Sequence, residues 1–184
     1  MVFTDKLLTL LQNSENNTRV MENGTRLLFP TSVHPPLAKH YIYSPMLQQI
    51  KQSLIQSYRR AFPDELIELY NIANGFALFW ERIPIDGTEL FLANAKITVF
   101  GVPIQNDRKQ LEPLNIVLED FDRKGHYPMS WLKFGTSFVR GECDLFYDTE
   151  KNHVYMIEIN GHSERGRWKS IDECLCDLFD SCNS

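Results

Sequence analysis

The chain has 184 residues and a formal net charge of −5, with 43% hydrophobic and 23% charged residues. This length and composition predict one globular domain that buries its core without help from a metal or a disulfide. The acidic balance argues against a general nucleic-acid binder, and no apolar run is long enough to predict a membrane span or a signal peptide. We therefore expect a cytoplasmic protein.

Residues 1–40 are predicted to form an N-terminal extension that packs on a core domain, residues 41–184. Thr4 is placed to cap a first helix, because a hydroxyl there accepts a hydrogen bond from the first turn. The apolar stripe of that helix consists of Leu7, Leu8 and Leu11. Residues 27–29, a brief apolar run, predict either a short strand or a docking segment.

A second helix is predicted to begin at Ser44 and Pro45, a capping residue followed by a proline suited to the first turn. Its buried face is predicted to consist of Leu47, Ile50, Leu54 and Tyr58.

Residues 62–76 predict a short amphipathic helix that ends abruptly. Pro63 suits the first turn, where its missing N–H costs little. Asn74 and Gly75 suit a turn through the left-handed region, directly before the apolar segment that begins at Phe76. The apolar stripe of this helix consists of Leu66, Tyr70 and Ala73.

From residue 76 to residue 161 the runs are short, β-branched or aromatic, and interrupted by turn residues, which predicts strands. One hairpin is predicted from 143–148 and 153–159, with residues 149–152 as its loop. The closing helix opens on a capping-box pattern at residues 170–173. Its core stripe consists of Ile171, Leu175, Leu178 and Phe179.

The order of these segments resembles the SUKH superfamily, which includes the fungal cell-wall assembly regulators. Its hallmark helix and turn are matched here by Pro63, Asn74 and Gly75. The resemblance covers residues from about 45 to 184 and continues, in order, through 83–91, 99–101, 131–135, 144–148, 154–156 and 168–175. It implies an α+β fold, with a mostly antiparallel twisted sheet, helices packed on one face and the other face partly open.

The resemblance also implies a protein-binding module rather than an enzyme. In bacteria, similar proteins look like immunity proteins that neutralise polymorphic toxins by stoichiometric binding, and the compact chain fits that class. A regulatory scaffold of the cell-wall assembly regulator type is an alternative, and an enzyme of unrecognised type is another. The sequence names neither the partner nor the oligomeric state.

An acidic cluster at Glu119, Asp120 and Asp122 is the candidate partner-binding surface. It would suit a basic protein such as a nuclease toxin, whereas the simpler interpretation is a solvated loop or helix face. Interface anchors are also sought among the tryptophans, because this residue is common at binding hot spots. The three tryptophans are Trp80, Trp131 and Trp168.

No catalytic constellation is predicted. The histidines are scattered, and no serine lies in a nucleophile elbow. Cys143 and His153 remain open as a nucleophile pair, because the predicted hairpin places them on adjacent strands.

The four cysteines are predicted to be reduced and to bind no metal, and no cofactor is expected. Cys174 and Cys176 are two residues apart on a predicted helix and therefore point to different sides. The other two are Cys143 and Cys182.

Overall fold

The computed structural model of the protein describes residues 3–12, 18–29, 39–57, 62–84, 91–102 and 127–183. The helices in these ranges are α1 (Asp5–Gln12), α2 (Gln48–Ser57), α3 (Asp64–Ile72) and α4 (Ile171–Asn183). The strands are β1 (Thr18–Val20), β2 (Arg26–Leu28), β3 (His40–Ile42), β4 (Phe76–Pro84), β5 (Phe91–Val99), β6 (Trp131–Ser137), β7 (Cys143–Asp148), β8 (His153–Glu158) and β9 (Glu164–Trp168).

The nine strands form one sheet in chain order, from β1 to β9, and every neighbouring pair is antiparallel. An antiparallel sheet with helices before and after its long strands is an α+β fold, so the predicted class is confirmed. The predicted hairpin of β7 and β8 is also confirmed, with residues 149–152 as its loop. Among the described residues, none of the helices is both long enough and apolar enough to cross a membrane.

One face of the sheet carries the main core, to which α1, α3 and α4 contribute fully buried side chains. The predicted stripe of α4 is confirmed, since all four of its residues are buried. Burying a side chain of leucine or phenylalanine size contributes about 1.5–3 kcal/mol, so this shared core is the main force that holds helices to sheet. The core side chains from the helices include Leu7, Leu11, Leu66, Leu69, Tyr70, Leu175 and Leu178.

The turn after α3 connects that helix to the sheet through Asn74. This side chain is fully buried, accepts the Val102 N–H at 2.9 Å and donates to the Val102 carbonyl at 2.8 Å. Gly75 has φ of +82°, as a turn through the left-handed region requires. Pro63 lies at the N-cap of α3, in extended backbone, and so precedes the helix instead of occupying its first turn as predicted.

The N-termini of α1 and α4 are each bonded by an acidic side chain of another helix. Thr4 caps α1, and its own N–H donates to Asp172 of α4 at 2.8 Å. In turn the N–H of Ile171, the first residue of α4, donates to Glu65 of α3 at 2.6 Å. Ser170 caps the same helix by accepting the Glu173 N–H at 3.0 Å. These bonds satisfy amide groups that a helix cannot pair internally, and they connect α3 to α4 and α4 to α1.

Other sequence predictions were wrong in position. The second helix begins at Gln48, later than predicted, and Leu47 is 57% exposed instead of buried. Ile50 and Leu54 are only partly buried, and Tyr58 lies outside the described residues.

Two strand boundaries also differ from the expected ones. Residues 83–91 were expected to resemble the first strands; Ile83 and Pro84 end β4, Phe91 begins β5, and residues 85–90 lie outside the described residues. Trp168, expected in the closing helix, is the last residue of β9.

Candidate functional site

The second face of the sheet carries a separate group of buried and partly buried residues, most of them aromatic. Along β6, β7 and β8, alternate side chains enter the main core, and those between them lie on the opposite face. We call this group the outer aromatic cluster, and it consists of Tyr127, Trp131, Phe146, Tyr155 and Ile157. On this part of the face, which was expected to be partly open, the sheet's own side chains are mostly aromatic.

The rings of the outer aromatic cluster stack in succession. Trp131 and Tyr155 are nearly parallel, with centroids 4.5 Å apart and 14° between their planes. Tyr127 stacks on Trp131 at 6.0 Å, and the Arg167 guanidinium lies 5.1 Å from the Tyr155 ring. Phe146 contacts both Tyr127 and Trp131 and is fully buried. Each ring is thus held by its neighbours, which leaves it little rotamer freedom to lose on binding a partner.

Asp148 fixes the indole of Trp131 from one side. Its Oδ2 accepts the Trp131 Nε1–H at 3.2 Å, and its Oδ1 accepts the N–H groups of Glu150 and Lys151 at 3.0 and 3.2 Å. Burial acts to raise the pKa of Asp148, but these bonds, together with one from Ser130, outweigh it and hold the pKa below its usual value. The carboxylate therefore stays ionised and keeps Trp131 in place.

Tyr127 connects the residues before β6 to the turn between β8 and β9. Its hydroxyl lies 3.0 Å from His162 Nδ1, and the two rings meet edge to face at 5.8 Å. Burial raises the pKa of Tyr127, so its hydroxyl stays protonated at neutral pH.

An exposed methionine lies close to cluster residues in the sequence, and two charged pairs lie on the strands β6, β7 and β9. Met129 lies between Tyr127 and Trp131 in the sequence and is 56% exposed. Arg167 is paired with Glu164 at 2.7 Å, and Lys133 is paired with Asp144 at 2.5 Å. Aromatic residues, methionine and arginine are the types enriched at protein–protein interfaces, and tryptophan, tyrosine and arginine dominate hot spots.

Of the predicted site residues, Glu119, Asp120 and Asp122 lie outside the described residues. Pro63, Asn74 and Gly75 are all described, and their contacts are those of a helix entry and a tight turn. Trp131 lies in the outer aromatic cluster. Trp168 donates to Asp177 at 3.0 Å and packs on the main core, while Trp80 meets Tyr41 edge to face.

Cys143 and His153, which the sequence left open as a nucleophile pair, are not brought together. The two residues are on adjacent strands but at opposite ends of the hairpin, since Cys143 pairs with Glu158 and His153 pairs with Asp148. Burial also raises the pKa of Cys143, which lowers its thiolate fraction.

All four cysteines are free thiols. Burial raises the pKa of each thiol, and most of all that of Cys174. Within the part of the chain that the structure describes, His, Cys, Asp and Glu side chains form no group of three or more suited to a metal ion.

Sequence reasoning missed Tyr127, Phe146, Tyr155 and Arg167 as site residues. The alternation of side chains along the strands was the available signal for these residues. It divides the side chains between two faces of the sheet but does not say which face carries the main core.

A second surface lies beside α2. An open cleft of about 380 Å³ runs along this helix, and Leu47 and Ile55 are exposed nearby at 57% and 38%. The cleft is lined by Gln49, Ile50, Ser53, Leu54 and Val102. None of these lining residues is charged, so the cleft offers mainly apolar contact and no acid–base or nucleophilic group.

Comparisons with protein-family models, with curated proteins and with solved structures found no match to this chain. The resemblance to the SUKH superfamily consequently stays a prediction from the order and spacing of its motifs.

Proposed function

We propose that the protein is a non-enzymatic protein-binding module that acts by stoichiometric binding. The observation that carries the proposal is the outer aromatic cluster with Arg167 over its Tyr155 ring, together with the exposed Met129 between Tyr127 and Trp131 in the sequence. Tryptophan, tyrosine and arginine supply most of the binding energy at protein interfaces, and here they share one face of a sheet.

The rigidity of the cluster supports this proposal. A stable interface needs about 800 Å² on each partner, and its affinity depends on how little order must be gained on binding. Trp131 is held by Tyr155 on one side and by the Asp148 hydrogen bond, so it is already ordered before a partner arrives. A preordered aromatic anchor is what a stoichiometric binder requires.

The setting we propose is the bacterial cytoplasm, where the protein would neutralise a polymorphic toxin. The SUKH resemblance supports this setting, and the net charge of −5 would speed association with a basic toxin such as a nuclease. Glu119, Asp120 and Asp122 would add to that steering. A regulatory scaffold of the cell-wall assembly regulator type uses the same binding chemistry, and the identity of the captured partner separates the two.

The test is capture of partners from the native host by the full chain and by two matched variants. Met129→Asp places a charge between Tyr127 and Trp131 in the sequence, and Leu47→Asp places the same charge directly before α2 at nearly equal exposure, 56% against 57%. We expect Met129→Asp to lose the partner and Leu47→Asp to keep it, because burying an unpaired carboxylate in an interface is strongly unfavourable. Retention by Met129→Asp would remove this face from the interface.

Stoichiometry decides between binding and turnover. Titration of the captured toxin, or other partner, should show loss of its activity in proportion to added protein, ending at one equivalent. Complete protection at far less than one equivalent would contradict binding and support an enzyme.

A further inference from the structure

A buried histidine completes the junction between β3 and β4. This junction is short: the β3–β4 register covers His40, Tyr41 and Ile42 and is flanked by one backbone bond on each side, from the Trp80 N–H to the Lys39 carbonyl at 3.0 Å and from the Tyr43 N–H to the Gly75 carbonyl at 3.3 Å. Strand β3 connects β1 and β2 to the rest of the sheet. At one end of the junction, the Phe79 N–H donates to His40 Nδ1 at 3.2 Å. A side chain therefore accepts a bond that a backbone carbonyl would ordinarily accept in a β-ladder.

The backbone at Phe79 is unusual. Its φ is +55°, in the left-handed region, where an aromatic residue is a genuine outlier. The register of β4 with β5 passes from Leu78 to Trp80 without pairing Phe79. Such strain persists only where the surroundings hold it, and here the surroundings are the His40 bond and ring packing.

Ring contacts complete the arrangement. The His40 and Phe79 rings meet edge to face at 4.8 Å, and Phe79 also contacts Phe179 of α4 at 6.0 Å. Lys39 Nζ lies 5.3 Å from the Phe79 ring. The ring that the histidine holds is thus part of the contact between sheet and closing helix.

Only a neutral imidazole can hold this bond, because Nδ1 must present a lone pair to the Phe79 N–H. Protonation would put a hydrogen on Nδ1, opposite another hydrogen, and a positive charge in a site that is 7% exposed. The charged group that acts on His40 is Lys39, which is also positive, while α4 presents the apolar Phe179 to the Phe79 ring. Burial first, and Lys39 second, lower the pKa of His40 from 6.5 to about 4.

We propose that His40 and Phe79 form an acid-sensitive latch, which releases β3, together with β1 and β2, from β4 when the imidazole is protonated. The inference is independent of the partner that the protein binds. The size of the pH effect follows from the difference in His40 pKa between the two states, which is 6.5 in the released state and about 4 in the closed one. The equilibrium constant for release of β3 should therefore rise about 30-fold between high pH and pH 5.

The test is amide hydrogen exchange, corrected for the intrinsic rate, in wild type, His40→Gln and His153→Gln. Glutamine keeps an acceptor that does not titrate, and His153 is a control histidine whose Nδ1 contacts the Lys151 carbonyl near the surface. We expect β3 opening to rise about 30-fold in wild type and His153→Gln, and to stay constant in His40→Gln. Amides of β7 and β8 should not change, because the release is local.

Two results would overturn the latch: an equal pH response in His40→Gln, or a β3 opening in wild type that does not change with pH. If His40→Gln does not fold, an NMR titration of the wild-type imidazole replaces it. An ordinary pKa for the His40 ring in the folded protein would then contradict the proposal.

Discussion

Replacement of Gly75 by alanine should destabilise the protein by two separable effects. The first is backbone strain, since φ is +82° and a residue with a Cβ loses roughly 1–2 kcal/mol there. The second is contact: the new Cβ would lie 2.7 Å from both the Gly101 nitrogen and the Val99 carbonyl oxygen. These are backbone atoms at the end of β5, so they cannot rotate away. We expect the two effects together to lower the free energy of unfolding by about 3 kcal/mol or more.

Two other glycines separate the effects. Gly141 has φ of +95°, and a Cβ added there would meet no heavy atom within 4 Å, so Gly141→Ala should show strain alone. At Gly135 the Cβ would lie 2.3 Å from the Thr98 carbonyl oxygen without a left-handed φ, so Gly135→Ala should show contact alone. Urea unfolding and thermal melts measure all three. A loss of 3 kcal/mol corresponds to a fall in Tm of about 6–12 °C for a chain of this size.

Of the two variants at positive φ, Gly75→Ala should be more destabilising than Gly141→Ala. If Gly75→Ala and Gly141→Ala lower Tm equally, the close approach of the turn to β5 contributes nothing, and the account of this turn is refuted.

Three further predictions follow from buried polar groups and thiols. Asp148→Asn should lower the free energy of unfolding by about 1–3 kcal/mol at pH 7, since hydrogen bonds to a charged acceptor are lost or weakened around Trp131. Folding lowers the pKa of Asp148, so its carboxylate stabilises the folded protein at pH values above its ordinary pKa of 3.8. This stabilisation is lost as the pH falls below 3.8. In urea unfolding, the free energies of unfolding of wild type and Asp148→Asn should therefore converge in acid. Asn74→Ala should lower the free energy of unfolding by about 2–4 kcal/mol, because it leaves the N–H and carbonyl of Val102 without their partner. Asn74→Asp keeps only acceptors and should not restore that stability. Recovery of the free energy of unfolding by Asp would contradict the two-bond arrangement. Cys174, buried and with a raised pKa, should be alkylated only on unfolding, so rapid labelling of the native protein, read by mass spectrometry, would contradict its burial.

The parts of the fold that were predictable from sequence have local causes. The α3 helix, its turn at Gly75 and the β7–β8 hairpin depend on residues close together in the chain. Turn, cap and hairpin residues act within a few positions of themselves, so a single sequence contains the whole signal.

The parts that were not predictable depend on contacts between distant residues. Leu47 shows the limit for helices: its spacing predicted a place on the buried face of the second helix, yet it lies directly before α2 and is 57% exposed, because spacing alone does not say where a helix begins or which side meets the core. Tyr127, Trp131 and Tyr155 show the limit for strands, because only the register of β6, β7 and β8 brings their rings together. A shift of one residue in any of these strands would have placed other side chains on this face.

The strand order has a consequence for how such a protein can change its partners. Because the nine strands of the described residues follow one another in chain order, each connection between them joins strands that are already neighbours. The segment between β5 and β6 contains Glu119, Asp120 and Asp122 in the sequence. In general, doubling the length of a loop costs only about 0.6 kcal/mol in closure entropy, so changes of length and sequence between two strands can accumulate while those strands stay paired. Descendants of one gene can thus diverge in what they recognise while inheriting an unchanged sheet.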